Sequence, residues 1–477
     1  MPRGLPQDFG VARGFLDLAV LDSTDPAAVR SAERRAPLDR TLFLVATKSG
    51  TTTETLCFYR YFFEKVRRSA GDRAGEQFVA ITDPGSPLVA MAAEKRFRRT
   101  FLNPTDIGGR YSALSYFGLL PAVLLGMDIK TLLDRASSLL PESRSSLPAE
   151  RNPAILLGIA LGQLALQGRD KITFQLSPEI TAFGCWVEQL VAESTGKQGK
   201  GLFPVDGEPL GKPCSYGSDR VFVHMRLRTA RDSATVRQLA SLEKAGHPVV
   251  RIELADRLDL GKEFFRWEIA TAVAAAMWKI NAFDEPNVKE SKDNTERLLK
   301  QLSSGRKAAV ETPVFRKSGM SLYGTRPSVT AAKTDARRMA RGSNPVQDSL
   351  IAHLRHAKEG DYLAILAYLA PSPATDEAFK RMRRCLRDGL GVATSIGYGP
   401  RYLHSTGQFH KGGPANGLFL EITAKDSIDL PIPDLPYGFR LLKQAQARGD
   451  QEALESRARR FLRLHRKPDR KPGCGRS

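Results

Sequence analysis

Short apolar runs rich in β-branched residues alternate along the chain with longer stretches in which apolar residues recur at helical spacing. This alternation is typical of an α/β fold with a parallel sheet. The first part of the chain contains predicted strands at Leu16–Leu21, Thr41–Ala46 and Phe78–Thr82, and predicted helices at Thr53–Val66 and Ser112–Leu125. The second part contains predicted strands at Lys171–Leu176, Arg220–Met225 and Val249–Leu254, and predicted helices at Phe183–Ser194 and Phe264–Ile280. The pattern therefore predicts two similar α/β halves in tandem.

A third segment follows a change of composition. Between Ser303 and Arg341 the sequence turns to Ser, Thr, Arg, Lys and Gly, which predicts a mobile connector. The elements predicted beyond it are helix Pro345–Ala357, strand Tyr362–Tyr368, helix Thr375–Leu386, a final strand near Val392–Ile396 and a charged helix at about Pro436–Leu464. We therefore expect domains at 1–150 and 151–302, a connector at 303–342, an α/β segment at 343–464 and a basic tail at 465–477.

Composition narrows the class of protein. The 477 residues are 42% hydrophobic and 26% charged, as in a globular protein of two or three domains. The longest apolar stretch, Leu114–Leu125, is too short to span a membrane, and the first residues do not read as a signal peptide. The five cysteines are dispersed and form no metal-binding pattern, which indicates reduced thiols. We expect a cytoplasmic protein that binds no membrane.

Charge raises the question of nucleic-acid binding. Lys and Arg number 72 against 52 acidic residues, a formal net charge of +20. The basic residues are nevertheless spread along the whole chain, and only the last part, from Arg457 to Lys471, forms a block. No basic motif interleaved with aromatic residues accompanies that block. Nucleic-acid binding therefore remains an open but less favoured hypothesis, and a positive field would equally concentrate an anionic substrate.

The sharpest local signal follows the predicted strand Thr41–Ala46. Here the hydroxyl segment, Thr47–Thr55, reads TKSGTTTET and contains six hydroxyl residues, one lysine and one glycine. Gly50 allows the backbone to approach a ligand closely, while the hydroxyls and the N–H groups of a helix N-terminus supply donors. The segment therefore predicts a phosphate site. The alternative is an ordinary helix cap, for which one hydroxyl would suffice; the spacing does not fit a Walker loop.

Four further segments combine with the hydroxyl segment into a recognisable set. They are GGRYS at 108–112, QLVAESTGK at 189–197, the pair FRWEIAT at 265–271 and NAFDEPNVKESK at 281–292, and LHSTGQ at 403–408. Together they resemble the glucose-6-phosphate isomerase family. The resemblance runs from about Leu16 to Pro431. It is closest to the isomerase portion of bifunctional transaldolase/glucose-6-phosphate isomerase proteins, because His404–Pro414 matches their HSTGQ-x-HKGGP segment.

The resemblance implies a fold and a reaction. The fold would be α/β, with two tandem sugar-isomerase (SIS-like) parallel-sheet domains and a C-terminal α/β segment. The reaction would be the reversible conversion of glucose-6-phosphate to fructose-6-phosphate through a cis-enediol, with no metal or organic cofactor. Related isomerases are commonly homodimers, in which a late residue such as His404 is sometimes supplied across the interface.

The resemblance also assigns residues. The phosphate would be held by Thr47, Lys48, Ser49 and Thr52. Glu193 matches the base that moves a proton between C2 and C1, a task that suits a carboxylate held beside the substrate. Arg110 matches the group that stabilises the enediolate charge, Lys292 and His404 match the pair that opens the sugar ring, and Gln189 matches a substrate contact. Without the resemblance, Glu193 and Arg110 could equally be surface residues.

Three departures from the family accompany this assignment. The catalytic residues run Glu193, Lys292, His404, an order that the transaldolase-fused relatives share. Glu285 stands where the family usually has glutamine, which would weaken phosphate binding unless the carboxylate is paired or turned away. The family's first strand and its Gly-Gly-Ser loop have no counterpart before Leu16, nor has a transaldolase domain. We therefore expect an N-terminally truncated first domain, an exposed sheet flank near Leu16–Leu21 and no transaldolase activity.

The sequence thus leaves three functions open. The favoured one is a glucose-6-phosphate isomerase. The second is a sugar-phosphate-binding protein with impaired or no turnover, because the Gly-Gly-Ser loop is missing. The third is a nucleic-acid-binding protein, whose retention on DNA would fall steeply with salt.

Overall fold

A computed structural model describes residues 10–143, 148–303, 311–324 and 344–467. Its first unit carries a three-stranded parallel sheet in the order β1-β2-β3. Phe43 of β1 pairs with Phe78 of β2, and their rings stack with centroids 4.9 Å apart. The elements of this unit are α1 Pro26–Arg35, β1 Phe43–Ala46, α2 Thr53–Ala70, β2 Phe78–Thr82, α3 Pro87–Glu94, β3 Arg99–Leu102, α4 Tyr116–Leu124 and α5 Ile129–Ser137.

The strand predicted at Leu16–Leu21 is wrong. This segment takes no place in the sheet; the Leu16 N–H instead donates to the carbonyl of Leu124 at the end of α4. The run is apolar enough for a strand, but β2 and β3 are the only strands that extend the described sheet beyond β1. The edge strand on this side of the described sheet is therefore β1, and the sheet flank expected at Leu16–Leu21 is not formed by that segment.

The second unit repeats the architecture with four parallel strands in the order β5-β4-β6-β7. Its central strands are almost wholly buried because helices cover both faces of the sheet. Trp186, Phe264 and Trp267 form the aromatic centre of its core. The elements are α6 Pro153–Leu166, β4 Lys171–Leu176, α7 Ala182–Thr195, β5 Phe203–Val205, β6 Arg220–Leu227, α8 Ser233–Lys244, β7 Val249–Leu254, α9 Leu260–Met277 and α10 Val288–Ser303.

The third unit is larger than the sequence predicts. Its six-stranded sheet has the order β11-β10-β12-β13-β9-β8, parallel from β11 to β13 and antiparallel at the hairpin β8–β9. The elements are β8 Phe315–Lys317, β9 Met320–Gly324, α11 Pro345–Arg355, β10 Tyr362–Tyr368, α12 Pro373–Leu390, β11 Ala393–Tyr398, α13 Gly407–Gly412, β12 Gly417–Ala424, α14 Phe439–Ser456 and β13 Arg460–Arg466.

Two predictions for this part of the chain need correction. The connector predicted at 303–342 contains the hairpin β8–β9, which pairs through β9 with β13; the stretches 304–310 and 325–343 lie outside the described residues. The single helix predicted at Pro436–Leu464 is instead α14 followed by β13, so Arg466 of the predicted basic tail belongs to the sheet. Residues 468–477 of that tail also lie outside the described residues.

The units are packed against one another rather than joined only by linkers. Helix α14 inserts Phe439 and Leu442 into a core that also contains Cys57 and Phe62 of α2. Phe203 of β5 stacks on Tyr362 of β10, with ring centroids 4.1 Å apart. As a result, the N-terminus of α2, the buried helix α7 and the segment after β11 converge on one region.

The fold class is as expected: α/β, with successive parallel-sheet units followed by a C-terminal α/β segment. Within the described ranges, none of the helices combines the length and apolar character needed to cross a membrane.

Candidate active site

The hydroxyl segment lies at the carboxyl end of β1 and leads into α2, as predicted. Gly50 has a φ of +69°, a conformation that favours glycine, and a Cβ at this position would meet the backbone of Leu88 at 2.9 Å. The Oγ1 atoms of Thr47 and Thr52 lie 2.7 Å apart. Thr52 precedes the helix and forms no side-chain cap bond. Its hydroxyl is therefore not committed to capping, and the free N–H groups of α2 lie beside it.

The ammonium group of Lys48 is already bound within the protein and is not fully available to a phosphate. Its ammonium group pairs with the carboxylate of Asp83, which follows β2, and also donates to the carbonyl of Thr105 at 3.1 Å. Ser49 Oγ contacts the hydroxyl of Thr51 at 2.8 Å, so the loop is internally bonded. The segment thus presents mainly hydroxyl and backbone donors, with a lysine whose charge is partly balanced.

Glu193 lies on α7, a helix whose residues are almost all buried between the second and third units. Its side chain is 10% exposed, and Gln189, one turn earlier, donates from Nε2 to Glu193 Oε2 at 3.1 Å. The helical spacing of four residues places these two side chains on the same face. Gln189 and Glu193, which the sequence assigned to one site, are therefore neighbours.

Arg110 reaches the same carboxylate from another segment. One of its terminal nitrogens lies 3.4 Å from Glu193 Oε1, and its side chain is 3% exposed. Its backbone is held by Trp186, whose indole N–H donates to the Arg110 carbonyl at 3.1 Å. Its Nε donates to Ser194 Oγ at 2.8 Å. The guanidinium group is thereby fixed with one edge toward Glu193.

Glu285 is paired rather than free. Its Oε2 lies 2.9 Å from a terminal nitrogen of Arg110, and about half of its side chain is exposed. The same arginine also donates to the carbonyls of Ala282 and Asp284, at 2.7 and 3.0 Å. The segment 281–287 therefore wraps around Arg110, and this arginine divides its charge between Glu193 and Glu285.

These contacts shift the pKa of Glu193. Burial raises the pKa of its carboxyl group above the ordinary value, and the negative charge of Glu285 acts in the same direction. Arg110, Gln189 and His404 oppose the rise without cancelling it. A carboxylate with a raised pKa is a stronger base than an exposed glutamate, which is what proton abstraction from carbon requires.

His404 is brought to this region by the helical turn 401–404 that follows β11. Its Nε2 lies 3.2 Å from Glu54 Oε1 in the first turn of α2. Gln446 of α14 donates to the same Glu54 oxygen at 2.6 Å and in turn accepts from Thr24. Burial acts to raise the pKa of Glu54, but its interaction with His404, including their hydrogen bond, and the charge of Lys292 outweigh it, so the pKa is lowered.

Lys292 lies on α10 with an exposed side chain. Its positive charge contributes to the lowered pKa of Glu54, the partner of His404. His404 likewise affects Glu193, although the two residues lie far apart in the sequence. We name Arg110, Gln189, Glu193, Glu285, Glu54 and His404 the acid–base cluster, with Lys292 at its edge.

Sequence reasoning missed Glu54 as the partner of His404, Ser194 as a support of Arg110 and Asp83 as the partner of Lys48. Glu54 belongs to the hydroxyl segment, but its partner His404 is 350 residues away in the sequence. Nothing in the local pattern pairs them. In the part of the chain that the structure describes, no group of three or more His, Cys, Asp or Glu residues is arranged to hold a metal ion.

Comparison with known proteins finds similarity to sugar-phosphate isomerases. The family model described as "Phosphoglucose isomerase" matches residues 9–201, which include the hydroxyl segment, Arg110, Gln189 and Glu193. The chain is 27% identical over 293 residues to a protein named glucose-6-phosphate isomerase from Enterococcus faecalis, covering 54% of this chain and 65% of the relative. It is 29% identical over 293 residues to the protein of the same name from Lactobacillus helveticus, covering 54% and 66%.

The chain thus spans slightly less than two thirds of the length of these relatives. Among solved structures, a hypothetical protein from Thermus thermophilus superposes with a TM-score of 0.51 at 24% identity, over 58% of this chain and 76% of that one. This likeness concerns the fold alone. Lys292 and His404 lie outside the residues that the family model matches.

Proposed function

Because residues 9–201 match the model of the phosphoglucose isomerase family, we propose that the chain interconverts glucose-6-phosphate and fructose-6-phosphate. The observation that carries the proposal is the contact between Glu193 and Arg110, a buried carboxylate with a raised pKa beside a fixed guanidinium group. An aldose–ketose isomerisation needs a base for the proton on carbon and a cation for the charge that forms on oxygen.

The phosphate of the substrate would occupy the hydroxyl segment. Thr47, Ser49 and Thr52 offer hydroxyl donors, and the N-terminus of α2 adds backbone N–H groups and the positive end of the helix dipole. Lys48 would contribute part of its charge, shared with Asp83. Since Glu54 follows Thr52 by two residues and contacts His404, a phosphate bound here places the sugar next to the acid–base cluster.

Ring opening would precede isomerisation. When His404 donates its Nε2–H to Glu54, its Nδ1 holds a lone pair that can accept a proton from the anomeric hydroxyl. As the bond between C1 and the ring oxygen breaks, the imidazolium would pass this proton to the ring oxygen, whose developing negative charge Lys292 would balance. Glu54 would thus be a positioning residue that fixes the tautomer and orientation of the imidazole.

The isomerisation itself would be carried by Glu193. Its carboxylate would take the proton from C2 of the open-chain aldose, giving a cis-enediolate. The proton of the O2 hydroxyl would pass to O1, and Glu193 would return its proton to C1 as the C2–O2 carbonyl of the ketose forms. Arg110 faces the oxygen on which charge develops, and Gln189 holds the carboxylate in place. Glu285 partly neutralises the positive charge that Arg110 presents to the substrate. We infer that this lowers affinity for the substrate without preventing turnover.

We infer also that the protein works as a cytoplasmic homodimer without nucleic acid. Exposed Leu156, Ile159 and Leu166 on α6 provide apolar surface for a second copy. Two of the described basic residues near the end of the chain are paired within the fold: Arg460 pairs with Asp361, and Arg463 with Glu311. Analytical ultracentrifugation tests the dimer. Retention on DNA that falls steeply with salt would contradict the second inference.

The test of the reaction is a coupled assay on the purified chain, with fructose-6-phosphate supplied and glucose-6-phosphate formation followed. Glu193→Gln should lower kcat by about 10²–10⁴-fold, the usual contribution of a general base. Glu188→Gln is the matched control, because Glu188 is buried on the same helix outside the acid–base cluster and also has a raised pKa, of about 7. Equal losses in both variants would point to damage to α7 rather than to catalysis.

A folded protein with no turnover would favour binding alone. That outcome would have a structural explanation, because Arg110 already pairs with Glu285 and would stabilise the charge on the substrate less well. It would be recognised by a rise in melting temperature on adding fructose-6-phosphate, with no product formed.

A further inference from the structure

We propose that the protein has a second anion site, for a small phosphate-bearing molecule, in a cavity of about 720 Å³ between the segment 281–287 and the start of β13. The cavity is of ordinary ligand-binding size. It is separate from the acid–base cluster, because Arg110, Gln189, Glu193, Lys292 and His404 are not among the residues that line it. Its charged lining residues are Lys197, Asp284, Lys411, Arg457 and Arg459.

Three of the four lining cations have a carboxylate partner. Lys197 Nζ lies 2.7 Å from Asp284 Oδ1. Lys411 Nζ lies 2.6 Å from Asp450 Oδ1, and both of these side chains are fully buried. Arg457 lies 2.5 Å from Glu290 Oε2 and is about one third exposed. The charges of these three residues are therefore balanced within the fold.

Arg459 is different. It is 8% exposed, and none of the carboxylates among the described residues forms an ion pair with it. One terminal nitrogen donates to the carbonyls of Lys411 and Gly413, each at 2.8 Å, while its Nε has no hydrogen-bond partner among the described residues. Burial lowers the pKa of Arg459, and the positive charges of Arg457 and Arg460 act in the same direction, against an opposing effect of Tyr362.

A buried guanidinium group without a countercharge is costly, and such a group is ordinarily paired. Lys197 and Arg457 line the same cavity as Arg459. A phosphate group would supply the missing countercharge and accept hydrogen bonds from both arginines, whose planar donors suit it. The excess of positive charge selects an anion rather than a neutral sugar.

The site does not depend on the proposed isomerase activity, so its test measures binding. Inorganic phosphate is titrated into the full chain by calorimetry at constant ionic strength. We expect two phosphates per chain, one in the hydroxyl segment and one in the cavity. The variant Ser49→Ala/Thr52→Ala should retain one. Adding Arg457→Gln to that background should weaken the remaining phosphate about tenfold or more, since a hydrogen bond to a charged group is lost.

Arg457 is chosen because it is partly exposed and its replacement leaves the core intact; Arg459→Gln, in the same background, should abolish the remaining binding. The matched control is Arg228→Gln, which removes an exposed arginine paired with Glu253 outside the cavity and should leave binding unchanged. The proposal is overturned if Ser49→Ala/Thr52→Ala binds no phosphate, or if Arg457→Gln has no more effect than Arg228→Gln.

Discussion

The hydroxyl segment and the acid–base cluster lie side by side but are built in opposite ways. The hydroxyl segment comes from nine consecutive residues, and its geometry follows from a strand end, one glycine and a helix start. The acid–base cluster takes members from separate places in the chain, between Glu54 and His404. A phosphate-binding segment can therefore be built from neighbouring residues, whereas the acid–base cluster is assembled only when all three units are packed together.

The largest expected effect comes from breaking that packing. Glu208 is fully buried, pairs with Arg220 at 3.1 Å, and accepts from the backbone and side chain of Thr394 in β11. Glu208→Ala leaves Arg220 buried without its partner, so the free energy of unfolding should fall by about 3–5 kcal/mol. Chemical denaturation measures the change. The exposed pair of Glu253 with Arg228 gives the control, because Glu253→Ala should cost at most about 1 kcal/mol.

The next effect concerns the cation of the acid–base cluster. Arg110→Gln should lower kcat by about 10²–10³-fold, because a fixed donor to the developing charge is lost. Steady-state kinetics with fructose-6-phosphate measure it. Arg266→Gln, which removes a partly buried arginine paired with Glu263 on α9, serves as control. A rise in KM with kcat unchanged would mean that Arg110 only binds substrate.

A smaller effect is expected in the hydroxyl segment. Ser49→Ala/Thr52→Ala should raise KM by about 10–100-fold with kcat nearly unchanged, since hydrogen bonds to a charged phosphate are lost while the cluster is intact. Thr41→Ala, which removes an exposed hydroxyl just before β1, is the matched control. If kcat fell as steeply as in Arg110→Gln, the two regions would not be separable in the way the structure indicates.

The smallest effect is expected at Glu285 of the acid–base cluster. Glu285→Gln removes a half-exposed negative charge beside Arg110, so KM should fall by up to about fivefold. Because the charge of Glu285 contributes to the raised pKa of Glu193, the variant should have a lower pKa at Glu193. Glu193 acts as a base when deprotonated, so the acid limb of the pH profile of kcat/KM should move to lower pH. An unchanged profile would mean that Glu285 does not influence the base.

These differences also explain what the sequence could predict. The hydroxyl segment, its turn at Gly50 and the helix after it follow from neighbouring residues and were predicted correctly. Members of the cluster were assigned only through a family resemblance, because no local pattern links residues so far apart. The partnership of Glu54 with His404 and that of Glu285 with Arg110 depend on packing between units, and no spacing rule could reveal them.

Strand β13 shows a second limit of prediction from the sequence. Its sequence, RFLRLHR, contains four basic residues, and charge at these positions favours the interpretation as a solvated helix or tail. In the fold, Arg460 and Arg463 pair with Asp361 and Glu311, so the charges are satisfied beside a sheet. Leu16–Leu21 is the converse case, since an apolar run is not a strand unless another strand is available to pair with it.

The position of β13 in its sheet also bears on how the protein is made. The strand lies between β12 and the hairpin β8–β9, which the ribosome produces long before it. That hairpin can join the sheet only after residues 460–466 have emerged from the exit tunnel. Arg459, at the start of the same strand, arrives equally late. During translation the third unit must therefore wait with an unpaired hairpin edge, the interval in which a nascent chain most needs protection from association with its neighbours.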